Sequence, residues 1–183
     1  MVTITCSVYI ATTLDGFIAR QDGRLDWLPG SDGTTGKEDY GYNKFFESVD
    51  TLVIGRNTYE TVLSFKEWPY QNKKVVVLSS RFPNNRESLS HGAEGTSSSP
   101  AELVSRLAAA GSEHVYVDGG KTIQSFLQAG LISEITITRV PILIGAGIPL
   151  FGYLDHDIKL RHSITRSFEN GLVQSKYLVI YPS

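Results

Sequence analysis

The chain has 183 residues, 41% hydrophobic and 20% charged, with a formal net charge of −2. That length suits one domain over residues 1–183, and the near-neutral charge without a long basic run argues against nucleic acid as a partner. The lone Cys6 excludes an internal disulfide framework, and no apolar stretch is long enough for a membrane span, so a cytoplasmic location is expected.

Residues 2–10 (V-T-I-T-C-S-V-Y-I) read as a first strand rather than a signal peptide. Residues 11–36 form a long Gly- and Asp-rich segment, of the kind that usually serves function. Residues 37–49 place Tyr42, Phe45, Phe46 and Val49 on one helical face. A short buried strand over 51–54 and a helix over 57–63 follow, then an apolar strand over 74–78. Residues 83–99 are polar and Ser-rich and read as a surface connection. Ser99-Pro100-Ala101-Glu102 is a helix start, with Ser as cap, Pro in the first turn and Glu closing a capping box. That helix runs to Ala110 and stops at Gly111. A strand over 114–117 leads to Gly119-Gly120, which opens a helix ending at Gly130; a strand over 134–140 closes at Pro141. Runs 159–168 and 172–181 flank Glu169-Asn170-Gly171, and Asn-Gly between alternating runs predicts a hairpin. The sum is an α/β chain: a mixed sheet flanked by helices, with an antiparallel C-terminal hairpin.

Several familiar motifs fail on inspection. Gly120-Lys121-Thr122 lacks the earlier Gly of a phosphate loop, because position 115 is Val. Gly145-Ala146-Gly147 lacks the third Gly of a dinucleotide fingerprint, and Pro149 stands where its helix would begin. The four histidines have no metal-ligand spacing, and no nucleophile elbow is present.

Three strand ends carry small, hydroxyl or cationic residues at a helix start: Gly55-Arg56-Asn57-Thr58, Ser79-Ser80-Arg81 and Gly119-Gly120-Lys121-Thr122. Ligands of open α/β sheets bind beyond the carboxyl ends of the strands. Free N–H groups at helix starts hold phosphate, and Arg or Lys add to them. Two such starts suit a pyrophosphate; two hydroxyls and an Arg suit one further phosphate. The count matches NADPH better than NADH.

The segments T-L-D-G-F-I-A (13–19), D-T-L-V-I-G-R-N-T-Y-E (50–60), V-V-V-L-S-S-R (75–81), V-D-G-G-K-T-I (117–123) and V-P-I-L-I-G-A-G-I-P-L-F (140–151) resemble the RibD C-terminal reductase domain family. The resemblance covers nearly the whole chain and is most specific in the last segment. It implies the dihydrofolate-reductase-like fold, an NADPH-dependent oxidoreductase of the riboflavin biosynthesis type, and a homodimer. It also implies site roles. Leu14, Asp15, Gly16 and Ile18 would border the nicotinamide. Gly55, Arg56, Asn57 and Thr58 would hold phosphates. Ser79, Ser80 and Arg81 would meet the adenosine 2′-phosphate. Gly119, Gly120, Lys121, Thr122 and Ile123 would cradle the pyrophosphate. Where riboflavin reductases tend to carry Glu, this chain has Asp118, and the zinc deaminase half of the bifunctional enzymes is absent.

Reducing a C=N bond requires a proton for nitrogen. Asp39, expected in the first turn of the 37–49 helix at the edge of its apolar face, is one candidate acid, since partial burial would let it keep a proton near neutral pH; the other reading is that it complements the helix dipole. Asp15 is the second candidate, with a simple turn as its alternative. The substrate is expected to be a small heterocycle. Arg20, Arg24, Lys37 and Arg139 favour a phosphorylated one, the 5-amino-6-(5-phosphoribosylamino)uracil of the resembled reductases. A dihydrofolate or pterin substrate, using Asp39, Trp27 and Phe46, stays open, as does an NADPH-binding sensor without turnover.

Overall fold

The computed structural model describes residues 4–31, 38–83 and 87–181. The strands are β1 (Thr5–Thr13), β2 (Phe17–Ala19), β3 (Thr51–Gly55), β4 (Lys74–Leu78), β5 (Glu87–Ser88), β6 (Glu94–Thr96), β7 (His114–Asp118), β8 (Glu134–Val140), β9 (Ile148–Pro149), β10 (Lys159–Ser167) and β11 (Val173–Ile180). The helices are α1 (Tyr42–Ser48), α2 (Arg56–Leu63), α3 (Pro100–Ala109) and α4 (Gly120–Gln128).

The main sheet has nine strands in the order β10-β11-β8-β1-β7-β3-β4-β6-β5. Pairing is parallel from β8 through β6 and antiparallel at both margins. A second, two-stranded antiparallel sheet joins β2 to β9. Parallel strands need both faces covered, and alternation along each strand supplies two apolar sets. Val53, Val76, Val115 and Val117 pack with Leu103, Leu107, Ile123 and Phe126 of α3 and α4. Leu52, Ile54, Val75, Val77 and Tyr116 pack instead with Tyr59 and Val62 of α2 and with Tyr42, Phe45 and Phe46 of α1.

Local signals act where they were read. The Ser99–Glu102 capping box forms in full and opens α3. The hairpin β10–β11 turns at Gly171, whose φ is 84°. Several boundaries differ from the sequence reading. The first strand extends to Thr13 because β8 pairs with it from Ser7 through Thr13. The 83–99 connection contains β5 and β6, and β6 joins the sheet beside β4 with Gly95 and Thr96 buried; a Gly-containing three-residue strand has no local signature and exists through its neighbour. The helix expected over 37–49 starts only at Tyr42, after Gly41 in the left-handed conformation (φ 84°). Lys37 lies outside the described residues. Among the described residues no helix is long and apolar enough to cross a membrane.

Candidate active site at the carboxyl ends of the strands

β3 and β7 are parallel neighbours, yet their helices leave in opposite directions. α2, following β3, packs on one face of the sheet, and α4, following β7, packs on the other. Such a divergence opens a crevice beyond the carboxyl ends of the two strands. Both helix starts face it, and neither N-cap, Gly55 or Gly119, carries a side-chain cap. Their first N–H groups are therefore open to an anion.

The two starts are in close contact. A methyl on Gly55 would stand 2.9 Å from the Thr122 hydroxyl, and one on Gly119 would stand 2.8 Å from the Thr58 hydroxyl. Gly119 also has a φ of 95°, which disfavours any other residue. These contacts bring together Gly55, Thr58, Gly119 and Thr122 from segments far apart in the chain. Arg56 stands at the same start, paired with Glu60: its Nε donates to the Glu60 carboxylate at 2.6 Å, and its guanidinium lies 5.9 Å from the Phe82 ring centroid. Asn57 and Lys121 are exposed at the same helix starts. Ile123 differs from expectation. Its side chain is fully buried in the core and its N–H donates to the Gly119 carbonyl, so helix geometry removes it from the cradle.

Next in the sheet, β4 leads into Ser79-Ser80-Arg81. The Ser79 hydroxyl accepts from the Arg81 N–H at 3.3 Å, forming a tight turn. On the other side of β7, β1 ends at Thr13 and leads to Leu14, Asp15, Gly16 and Ile18. A methyl on Gly120 would stand 3.1 Å from the Ile18 side chain, so this segment sits directly on the start of α4. The sheet order thus sets out the three expected groups in one row: residues 14–18, the paired helix starts, then residues 79–81.

Neither acid singled out from sequence is arranged to hold a proton. Asp39 precedes α1 and is exposed; its carboxylate accepts from the Gly41 N–H at 2.9 Å and the Asn43 N–H at 3.1 Å. These bonds hold its pKa below the usual carboxylate value. The expectation of a raised pKa fails because the helix begins after Asp39, which leaves the carboxylate at the helix entrance rather than on its apolar face. Asp15 is also held low, first by the Thr13 hydroxyl and then by the Gly145 and Ile144 N–H groups.

The acid that fits is Asp118, the last residue of β7. Alternation puts it on the face of Tyr116 rather than that of Val115 and Val117. It keeps some solvent contact but is crowded by protein, and burial pushes its pKa up to about 6, against one N–H donated by Gly119 at 2.9 Å. Its charge in turn opposes ionisation of Tyr42 and Tyr70, whose pKa values burial already raises. Sequence reading noted Asp118 only as a departure from Glu; an acid ending an apolar strand beside Gly-Gly was the available signal.

The cations expected to favour a phosphorylated substrate are divided. Arg20 pairs with Asp26 at 2.5 Å, and Arg24 with Asp22 at 2.7 Å, so their charges are locally neutralised. Arg139 is exposed near the carboxyl end of β8. Among the described residues no cluster of three or more His, Cys, Asp or Glu is arranged to hold a metal ion.

Comparison with known proteins gives the family and the fold. The RibD C-terminal domain model matches residues 4–174. The uncharacterized protein YwjB of Bacillus subtilis (strain 168) is 36% identical over 167 residues, covering 88% of this chain and 90% of YwjB. A Shewanella sp. PV-4 protein provisionally assigned to riboflavin biosynthesis superposes with a TM-score of 0.87 at 38% identity, covering 97% of this chain and 100% of that one. The Thermotoga maritima diaminohydroxyphosphoribosylaminopyrimidine deaminase/5-amino-6-(5-phosphoribosylamino)uracil reductase shares the fold, with a TM-score of 0.69 at 17% identity over 96% of this chain and 56% of that one.

Proposed function

The chain belongs to the RibD C-terminal domain family, and on that footing we propose that it is an NADPH-dependent reductase that transfers hydride to a C=N-type heterocyclic or ribosylamino substrate. The observation that carries this reading is the row of sites along adjacent strand ends. An extended dinucleotide would lie across β4, β3, β7 and β1, strands that neighbour one another in the sheet. Its pyrophosphate would take the open N–H groups at Gly55–Thr58 and Gly119–Thr122, its 2′-phosphate Ser79, Ser80 and Arg81, and its nicotinamide Leu14, Gly16 and Ile18.

The cofactor supplies the hydride; the protein orients it and delivers a proton. Asp118 is the group suited to the proton. A pKa of about 6 leaves a usable protonated fraction near neutral pH, and its place beside Gly119 puts it next to the cradle. Asp39 is reassigned to holding the entrance of α1.

The preferred substrate is 5-amino-6-(5-phosphoribosylamino)uracil, with dihydrofolate turned over slowly or not at all. This choice rests on family membership and on Arg139, since Arg20 and Arg24 are already paired. NADPH oxidation followed side by side with the two compounds tests it. Rapid oxidation with dihydrofolate alone would reverse the ranking; NADPH binding without oxidation by either would favour the sensor reading. Pairing of two chains into a homodimer is part of the same proposal, checked by light scattering.

A further inference from the structure

Three donors converge on one carboxylate beside the proposed nicotinamide position. Asp15 Oδ1 accepts from the Thr13 hydroxyl at 2.5 Å, while Oδ2 accepts from the Gly145 N–H at 2.8 Å and the Ile144 N–H at 3.2 Å. The contacts around it tie the same two segments. The Leu14 N–H donates to the Ile142 carbonyl at 2.9 Å, and the Leu150 N–H to the Gly16 carbonyl at 3.1 Å. The Thr13 hydroxyl, itself fully buried, accepts from the Phe17 N–H at 3.0 Å. β2 and β9 continue the junction. A Cβ on Gly147 would collide with the Ala19 carbonyl oxygen, so the two segments are in backbone contact.

We propose that Asp15 is a positioning residue, a latch that binds residues 14–18 to residues 142–150 and so holds the nicotinamide-side wall against the first turn of α4. The wall reaches α4 through Ile18 and the Pro149 carbonyl, which lie 3.1 and 3.2 Å from where a methyl on Gly120 would stand. Leu14 and Leu143, on the two latched segments, are 59% and 68% exposed. Exposed apolar side chains on the latched segments suit a flat ring laid over them. The carboxylate chemistry is specific, because every partner is a donor. An amide at position 15 could keep the Ile144 and Gly145 N–H groups on its oxygen only by turning its NH2 group to Thr13, whose buried hydroxyl already accepts from the Phe17 N–H and would lose the acceptor for its own proton.

The inference rests on the NADPH reading, and the test separates the two. NADPH and adenosine 2′,5′-bisphosphate, which lacks the nicotinamide half, are titrated into the parent, Asp15→Asn and Asp15→Glu. The expected result is an NADPH Kd raised about tenfold in Asp15→Asn, with the bisphosphate Kd changed by less than about twofold. Asp15→Glu, charged but one methylene too long for these contacts, should also weaken NADPH. Without ligand, hydrogen exchange at the Ile144 and Gly145 amides should be faster in both variants. Equal NADPH affinity in variant and parent, parallel loss of both ligands, or unchanged exchange at Ile144 and Gly145 would each overturn the latch. A parent that binds no NADPH would instead overturn the cofactor reading itself.

Discussion

Thr58 and Gly119 meet where the first turns of two helices from opposite faces of the sheet converge; a methyl on Gly119 would stand 2.8 Å from the Thr58 hydroxyl. The contact fixes the distance between two uncapped helix starts and so sets the width of the anion cradle. Gly119→Ala adds a clash to a φ of 95°. It should destabilise the fold by about 1–3 kcal/mol in denaturant titrations. It should also abolish NADPH binding at concentrations that saturate the parent.

Arg81 lies at the end of β4, two strands from the start of α4. If Ser79, Ser80 and Arg81 receive the 2′-phosphate, Arg81→Ala should weaken NADPH by about tenfold or more and leave NADH within about twofold, since only NADPH carries that group. Titration of both cofactors decides this. A parent that binds the two equally would remove the 2′-phosphate from residues 79–81.

Asp118 predicts two pH effects. As proton donor it should make turnover fall as pH rises through about 6. Asp118→Asn should lower turnover by about a hundredfold or more while NADPH affinity changes little. For stability, burial raises the folded pKa from 3.8 to about 6. The folded chain therefore binds more protons than the unfolded chain between those values. The favourable contribution is complete below about pH 4 and is lost as pH rises through about 6, amounting to about 3 kcal/mol at most. Asp118→Asn should consequently unfold at a higher temperature than the parent at pH 8, with the difference shrinking towards pH 4. An equal stability gain at both pH values would show that charge burial is not its source.

Asp39→Asn tests the helix entrance. The Asp39 carboxylate accepts N–H groups from Gly41 and Asn43 in the exposed approach to α1. Its depressed pKa means that the carboxylate's contribution is present above the unfolded value and is lost as pH falls through the lower, folded one. The variant should show a small drop in Tm at pH 7 and turnover within about twofold of the parent. A large loss of turnover with Tm unchanged would restore Asp39 as a participant in chemistry.

Elements with local signals are legible in the chain's own residue order. Ser99-Pro100-Ala101-Glu102 opens α3, and Asn170-Gly171 turns the C-terminal hairpin. The apolar runs before Gly55, Ser79 and Gly119 become parallel strands. The three strand-end motifs were readable for the same reason, since turn chemistry and open N–H groups depend on a few consecutive residues. The tertiary structure alone decided which of these ends are neighbours and what surrounds each acid. β6 became a strand through its pairing with β4. Ile123 left the cradle because α4 packs that side chain into the core. Asp39 and Asp118 look alike in sequence, yet one sits at an exposed helix entrance and the other among Tyr42, Tyr70 and Tyr116. A carboxyl's pKa depends on the solvent it loses and the charges it faces, and for Asp118 both come from residues brought together by the order of strands in the sheet.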